Sequence, residues 1–90
     1  MPPHTPLEVY TVTWCPHCVN LLSWLDQEGI PYRNHDVDAS DADWQVALRL
    51  TGGIDIVPVV ERCGQAVWGA FTPSLQARVR GLAALAPARP

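Results

Sequence analysis

The sequence predicts an α/β fold: a four-stranded mixed sheet with helices on both faces. Three observations carry it. Strand-like and helix-like stretches alternate in the order β-α-β-α-β-β-α. Proline or glycine punctuates most of their boundaries. The last two strand stretches are separated only by a Cys63-Gly64 turn, so they read as a hairpin.

Taken in order, Leu7–Thr13 (LEVYTVT) is rich in β-branched and aromatic residues and uncharged at its centre, which suits a buried strand. Pro16 occupies the first position of a helix, where its missing N–H costs nothing, and Cys18, Val19, Leu22 and Leu25 fall on roughly one face. Trp24 falls off that face and is expected to be exposed. Gly29 closes this helix in a left-handed cap and Pro31 stops its continuation. Residues 32–38 (YRNHDVD) form a second, more polar strand. Ser40 with Asp43 three residues later opens a helix running to about Leu50, ended by Gly52 and Gly53. VPVVER and QAVW are the hairpin strands, and Thr72-Pro73 is an N-cap with proline at the first position of a last helix through about Leu85. The proline-rich ends, residues 1–6 and 86–90, are expected to be tails on a single domain spanning residues 1–90.

Ninety residues, 48% hydrophobic and 17% charged, are enough for one core and too few for two. A net charge of −3 offers nothing to neutralise phosphates, which argues against nucleic acid, and no apolar run approaches a membrane span. The first residues lack the basic and apolar segments of an export signal, so a cytosolic, monomeric protein is expected. In that reducing compartment, three cysteines do not make a structural disulfide framework.

The chemistry lies in Trp14-Cys15-Pro16-His17-Cys18. Cys15 is expected at a helix N-terminus, where unpaired N–H groups and the macrodipole favour thiolate, the form that attacks disulfides. Cys18, one turn on and less exposed, is placed to resolve the resulting mixed disulfide. Structural zinc needs four ligands, and neither Cys63 nor His4, His17 and His35 completes a set by spacing, so no bound metal is expected. An iron–sulfur cluster shared between two chains remains an alternative. Val57-Pro58 opens a strand; a cis bond there would leave Val57's N–H and C=O available to an extended substrate, whereas a trans proline would merely mark the strand edge.

These residues resemble the glutaredoxin family of the thioredoxin fold. VYTVTWCPHC, GIPYRNHDVD, IVPVV and VWGAF occur in that family's order and approximate spacing, over residues 7–85. The resemblance implies a cis Pro58 facing a Cys15–Cys18 redox pair, with no other cofactor bound. Residues 68–73, Trp-Gly-Ala-Phe-Thr-Pro, are similar to the Trp-Ser-Gly-Phe-x-Pro signature of NrdH-type redoxins, departing from it at Gly69 and Ala70. Those are glutaredoxin-sized proteins with thioredoxin-like activity that supply electrons to ribonucleotide reductase. The resemblance therefore implies a dithiol oxidoreductase acting on protein disulfides and reduced by a flavin-dependent thioredoxin reductase. A glutathione-dependent glutaredoxin is the other reading. Against it, Val12 stands where glutathione users typically carry a basic residue, and GAFTP stands in place of an acidic pair.

Cys-Pro-His-Cys is also the spelling of DsbA-type oxidants, so Pro16 and His17 are expected to tune the redox pair, His17 by stabilising the thiolate. The missing export signal and the absence of room for a helical insertion turn that expectation toward the potential, away from the direction of electron flow. Trp14, Trp68, Phe71 and Thr72 are expected to join Val57 and Pro58 at the substrate surface, Trp14 as an apolar rim. Cys63 reads as a thiol near the hairpin, and residues 35–43 as a solvated helix start with acids at the favoured end.

Overall fold

The computed structural model describes residues 6–85. In chain order the elements are β1 (Leu7–Thr11), α1 (Pro16–Glu28), β2 (Tyr32–Asp36), α2 (Asp41–Thr51), β3 (Val59–Arg62), β4 (Gln65–Trp68) and α3 (Pro73–Ala83). The strands lie in the order β2-β1-β3-β4. β1 runs parallel to β2 and antiparallel to β3, and β3 is antiparallel to β4, which makes the sheet mixed as expected. Of the two expected tails, residues 1–5 and 86–90 lie outside the described residues, and Pro6 precedes β1 without regular structure.

The period-two alternation of the central strands divides the interior into two cores. Leu7 and Val9 of β1 and Val60 of β3 face α1 and α3, where they meet Leu21, Trp24, Leu25, Leu75, Val79 and Leu82. Tyr10 and Val59, on the opposite face, join Val12, Cys18, Val37 and Ala47, with Trp44, Val46 and Leu50 of α2 packed against them. Each fully buried Leu or Val stabilises the fold by roughly 1.5–3 kcal/mol relative to an exposed one, so this two-sided burial dominates the energetics.

The buried face of α1 differs from the one read off the sequence. Cys18, Leu21, Trp24 and Leu25 are buried, whereas Val19 is 51% exposed and Leu22 only half-buried. The apolar stripe is rotated because α3 lies against α1. Its Arg80 guanidinium sits 5.0 Å above the Trp24 ring and pairs with Glu28, and Phe71 meets Trp24 edge-on. Trp24 is therefore a core residue, contrary to the expectation of exposure: its partners come from parts of the chain that helical periodicity cannot see.

The boundaries follow their local chemistry. Gly29 takes φ 69°, and the following Ile30 N–H bonds to the Leu25 carbonyl, closing α1 in a Schellman-type cap. Ser40 accepts the Asp43 N–H and Thr72 the Leu75 N–H, capping α2 and α3. Cys63 and Gly64 have φ 54° and 80°, the two left-handed residues of a tight hairpin turn. Buried Arg62 donates through Nη1 to the Leu82 and Ala83 carbonyls, fastening β3 to the negative end of α3. No helix among the described residues is long and apolar enough to cross a membrane.

At the β2 edge, Glu8 binds two partners across the strands. Arg33 donates Nε and Nη2 to its Oε2, and His35 Nε2 lies 2.7 Å from its Oε1 while stacking on Tyr10. Burial opposes ionisation of Glu8, but its hydrogen bonds to His35 and Arg33 outweigh this and hold the carboxyl below its ordinary 4.5. The folded state thus favours the carboxylate, a contribution present above that value and lost as pH falls through the lower, folded one. Thermal melts of wild type and Glu8→Gln should show the wild type losing more stability between about pH 6 and pH 3; parallel curves would refute the assignment.

Candidate active site

The β1–α1 junction presents the two cysteines. After β1 ends at Thr11, Val12 stays buried, and the chain then emerges so that Trp14 is 72% exposed. Cys15 is the N-cap of α1 in an extended conformation (φ −98°, ψ 119°), half-buried, and its side chain makes no capping bond. Its carbonyl accepts the Val19 N–H, while Pro16 at the first helical position has no N–H to offer. The His17 and Cys18 amides, in the first turn, have no intrahelical acceptors and lie at the positive end of the helix that Cys15 caps.

Cys18 is fully buried in the α2-side core. That burial, with the neighbouring Cys15, pushes its thiol up from 9.0 to about 11, although a backbone hydrogen bond from Val12 partly offsets the rise. The structure holds both cysteines as free thiols. One sulfur is accessible at a helix tip and the other is buried and protonated. Such an asymmetric pair has an obvious attacking member and a second member that acts only on what the first has bound.

The second wall is the segment before β3. Val57-Pro58 is cis, Pro58 is buried, and its carbonyl accepts the Gly69 N–H at 3.3 Å. Strand pairing begins at Val59, so Val57 lies outside the ladder. Cys15, Val57 and Trp68 all pack against the core that contains Cys18. Phe71 belongs to the other core, but its N–H donates to His17 Nδ1 at 3.1 Å. This bond joins the first turn of α1 to the loop between β4 and α3. His17 therefore has a partner that the sequence reading, which looked only toward Cys15, did not anticipate. The side chain of Thr72 is engaged as the cap of α3.

Beyond Trp14 the site continues into a cavity of about 200 Å³ lined by Val12, Trp14, Val37, Asp38, Trp44, Asp55 and Val57. The Trp14 indole N–H donates to Asp38 Oδ2 at 2.6 Å. Asp38, Trp44 and Asp55 were not among the residues expected here. Asp38 lies in a stretch that reads as a solvated helix start, and only the parallel pairing of β2 with β1 brings that stretch beside Trp14. Among the described residues, no group of three or more His, Cys, Asp or Glu is arranged to hold a metal ion; His4 lies outside them.

Comparison with known proteins places the chain. The glutaredoxin family model matches residues 7–67. A glutaredoxin from Archaeoglobus fulgidus superposes with a TM-score of 0.66 at 26% identity, covering 83% of this chain and 86% of that one. A buckwheat glutaredoxin in complex with glutathione gives 0.66 at 29% identity, covering 86% and 72%. The NrdH-redoxin of Escherichia coli gives 0.68 at 24% identity, covering 94% and 100%, and shares the fold. No curated protein matches the sequence.

Two outcomes follow from this geometry. Alkylation of the reduced protein near neutral pH should label Cys15 and the exposed Cys63 and spare Cys18 until the chain is unfolded; peptide mapping that finds Cys18 labelled alongside Cys15 would contradict the asymmetry. Replacing His17 with Ala should destabilise the protein by about 0.5–1.5 kcal/mol and speed hydrogen exchange at the Phe71 amide, whereas Asn20→Ala, on the exposed side of α1, should leave that amide unchanged.

Proposed function

The chain belongs to the glutaredoxin family and is a thiol–disulfide oxidoreductase, and we propose that it reduces protein disulfides in the cytosol through Cys15 and Cys18. The observation that carries this reading is the contrast between the two sulfurs, one at a helix tip and one fully buried with its thiol pushed up to about 11. The Cys15 thiolate attacks one sulfur of the substrate disulfide, forming a mixed disulfide and expelling the other as thiolate. Cys18 then gives up its proton and attacks Cys15, freeing the second substrate sulfur. The substrate gains two electrons and two protons, one from Cys18 and one from solvent, and the protein is left with a Cys15–Cys18 disulfide.

The roles of the surrounding residues follow from their positions. Exposed Trp14 forms a rim, and Val57, outside the strand ladder, offers its backbone to an extended substrate. Pro58, Trp68 and Phe71 support that surface, with Thr72 fixing the start of α3. Pro16 and His17 tune the pair: Pro16 shapes the helix tip, and His17 Nδ1 is committed as an acceptor to Phe71. Beyond the redox pair, this reading needs no bound cofactor.

The electron source favoured here is a flavin-dependent thioredoxin reductase, with ribonucleotide reductase as a substrate. Residues 68–73 support this through their likeness to the NrdH-type signature. Val12 supports it too: buried and apolar, it offers no cation to a glutathione carboxylate. The glutathione-dependent reading draws on the buckwheat glutaredoxin, which forms a glutathione complex.

A coupled assay separates the two. NADPH oxidation with thioredoxin reductase as donor should exceed that with glutathione and glutathione reductase, and Cys15→Ser should abolish it. The Cys18→Ser variant should accumulate a mixed disulfide with substrate, visible by mass. Turnover that survives Cys15→Ser would refute the mechanism, and a brown, iron- and sulfide-containing protein isolated anaerobically would favour a cluster-binding module.

A further inference from the structure

The cavity beside Trp14 has a chemical character that disulfide exchange alone does not explain. Its walls are two indoles, Trp14 and Trp44, and three valines, and its polar groups are the carboxylates of Asp38 and Asp55. Aromatic faces with carboxylates at their edge attract cations: the ring quadrupole and the negative charges act in the same direction. No arginine lines the cavity. Among the described residues, Arg33 is held by Glu8, Arg62 by α3 carbonyls, Arg80 by Glu28 and Arg78 by Ser74, while Arg49 is exposed on α2 and does not line the cavity. Asp55 is exposed, and only one oxygen of Asp38 is used by Trp14.

Size narrows the occupant. Pockets for whole small ligands measure roughly 300–1,000 Å³, whereas this one is about 200 Å³ and suits a single long side chain. Position narrows it further. Val57 lines the cavity and lies outside the strand ladder, and Trp14 immediately precedes Cys15. A substrate segment lying along Val57 with its disulfide at Cys15 drops a neighbouring side chain between the two tryptophans.

We propose that this cavity is a side-chain subsite selecting protein disulfides that carry an arginine or lysine next to the attacked cysteine. The inference rests on the dithiol reading above and adds to it the class of substrate. An acidic flanking residue, or the carboxylates of an anionic thiol peptide, meets Asp38 and Asp55 and is disfavoured by the same charges.

The test uses peptides with an intramolecular disulfide, with arginine or glutamate placed at each flanking position in turn, and 2-hydroxyethyl disulfide as an uncharged reference. Reduction is driven by a chemical dithiol that regenerates Cys15 and Cys18. At one flanking position kcat/KM should favour arginine over glutamate by about tenfold, the scale of a partly enclosed cation–aromatic contact with a carboxylate partner. That ratio should fall toward unity in Asp38→Asn/Asp55→Asn, where the amide oxygen introduced by the first substitution still offers Trp14 an acceptor. It should also fall in Trp44→Leu and persist in Asp55→Glu. Equal rates for all peptides, with the reference disulfide reduced, overturn the subsite and leave the dithiol reading intact. A wild-type protein that reduces neither peptides nor reference overturns both.

Discussion

The burial of one thiol organises the site. Cys18 packs at zero exposure among Tyr10, Val12, Val37, Ala47 and Val59, residues drawn from both central strands, α2 and the flanking loops. Because it lies one turn into α1, holding it there fixes where the helix begins. Cys15 must then sit at the tip, half-buried, with Trp14 outside. The difference between the sulfurs is thus a packing consequence: the environment that keeps Cys18 protonated is the core of the fold itself.

Much of this arrangement was legible in the sequence, because the signals were local. Pro16 at a helix start, Gly29 at its end, Ser40 with Asp43, the Cys63-Gly64 turn and Thr72-Pro73 each encode a boundary within a few residues, and each boundary lies where it was read. Cys15 and Cys18 were legible for the same reason. The misreadings concern partners distant in sequence. Trp24 looked exposed because nothing within its helix announces Arg80 and Phe71. Asp38 looked like part of a solvated helix start because its relation to Trp14 exists only once β1 and β2 are paired.

His17 is an intermediate case. Its place between the cysteines suggested an electrostatic role toward Cys15, yet its Nδ1 serves the loop that begins after Trp68. The same loop is tied at its start by the bond from Gly69 to the Pro58 carbonyl. Two backbone amides, Gly69 and Phe71, therefore hold one short loop against both the cis-proline segment and the cysteine helix. The residues read as a family signature, 68–73, are physically the stretch that contains both fastenings.

The strand order carries a consequence for how the protein comes into being. β1 lies at the interior of the sheet: Val9 pairs with Asn34 on one side and with Val60 on the other. On a growing chain the first partner emerges soon after β1, but the second arrives only after α2 has been made. Until β3 docks, the core around Cys18 lacks Val59, and the sulfur that the finished protein shelters has an incomplete roof. The shelter that distinguishes the two site thiols is therefore complete only once this long-range pairing closes the sheet.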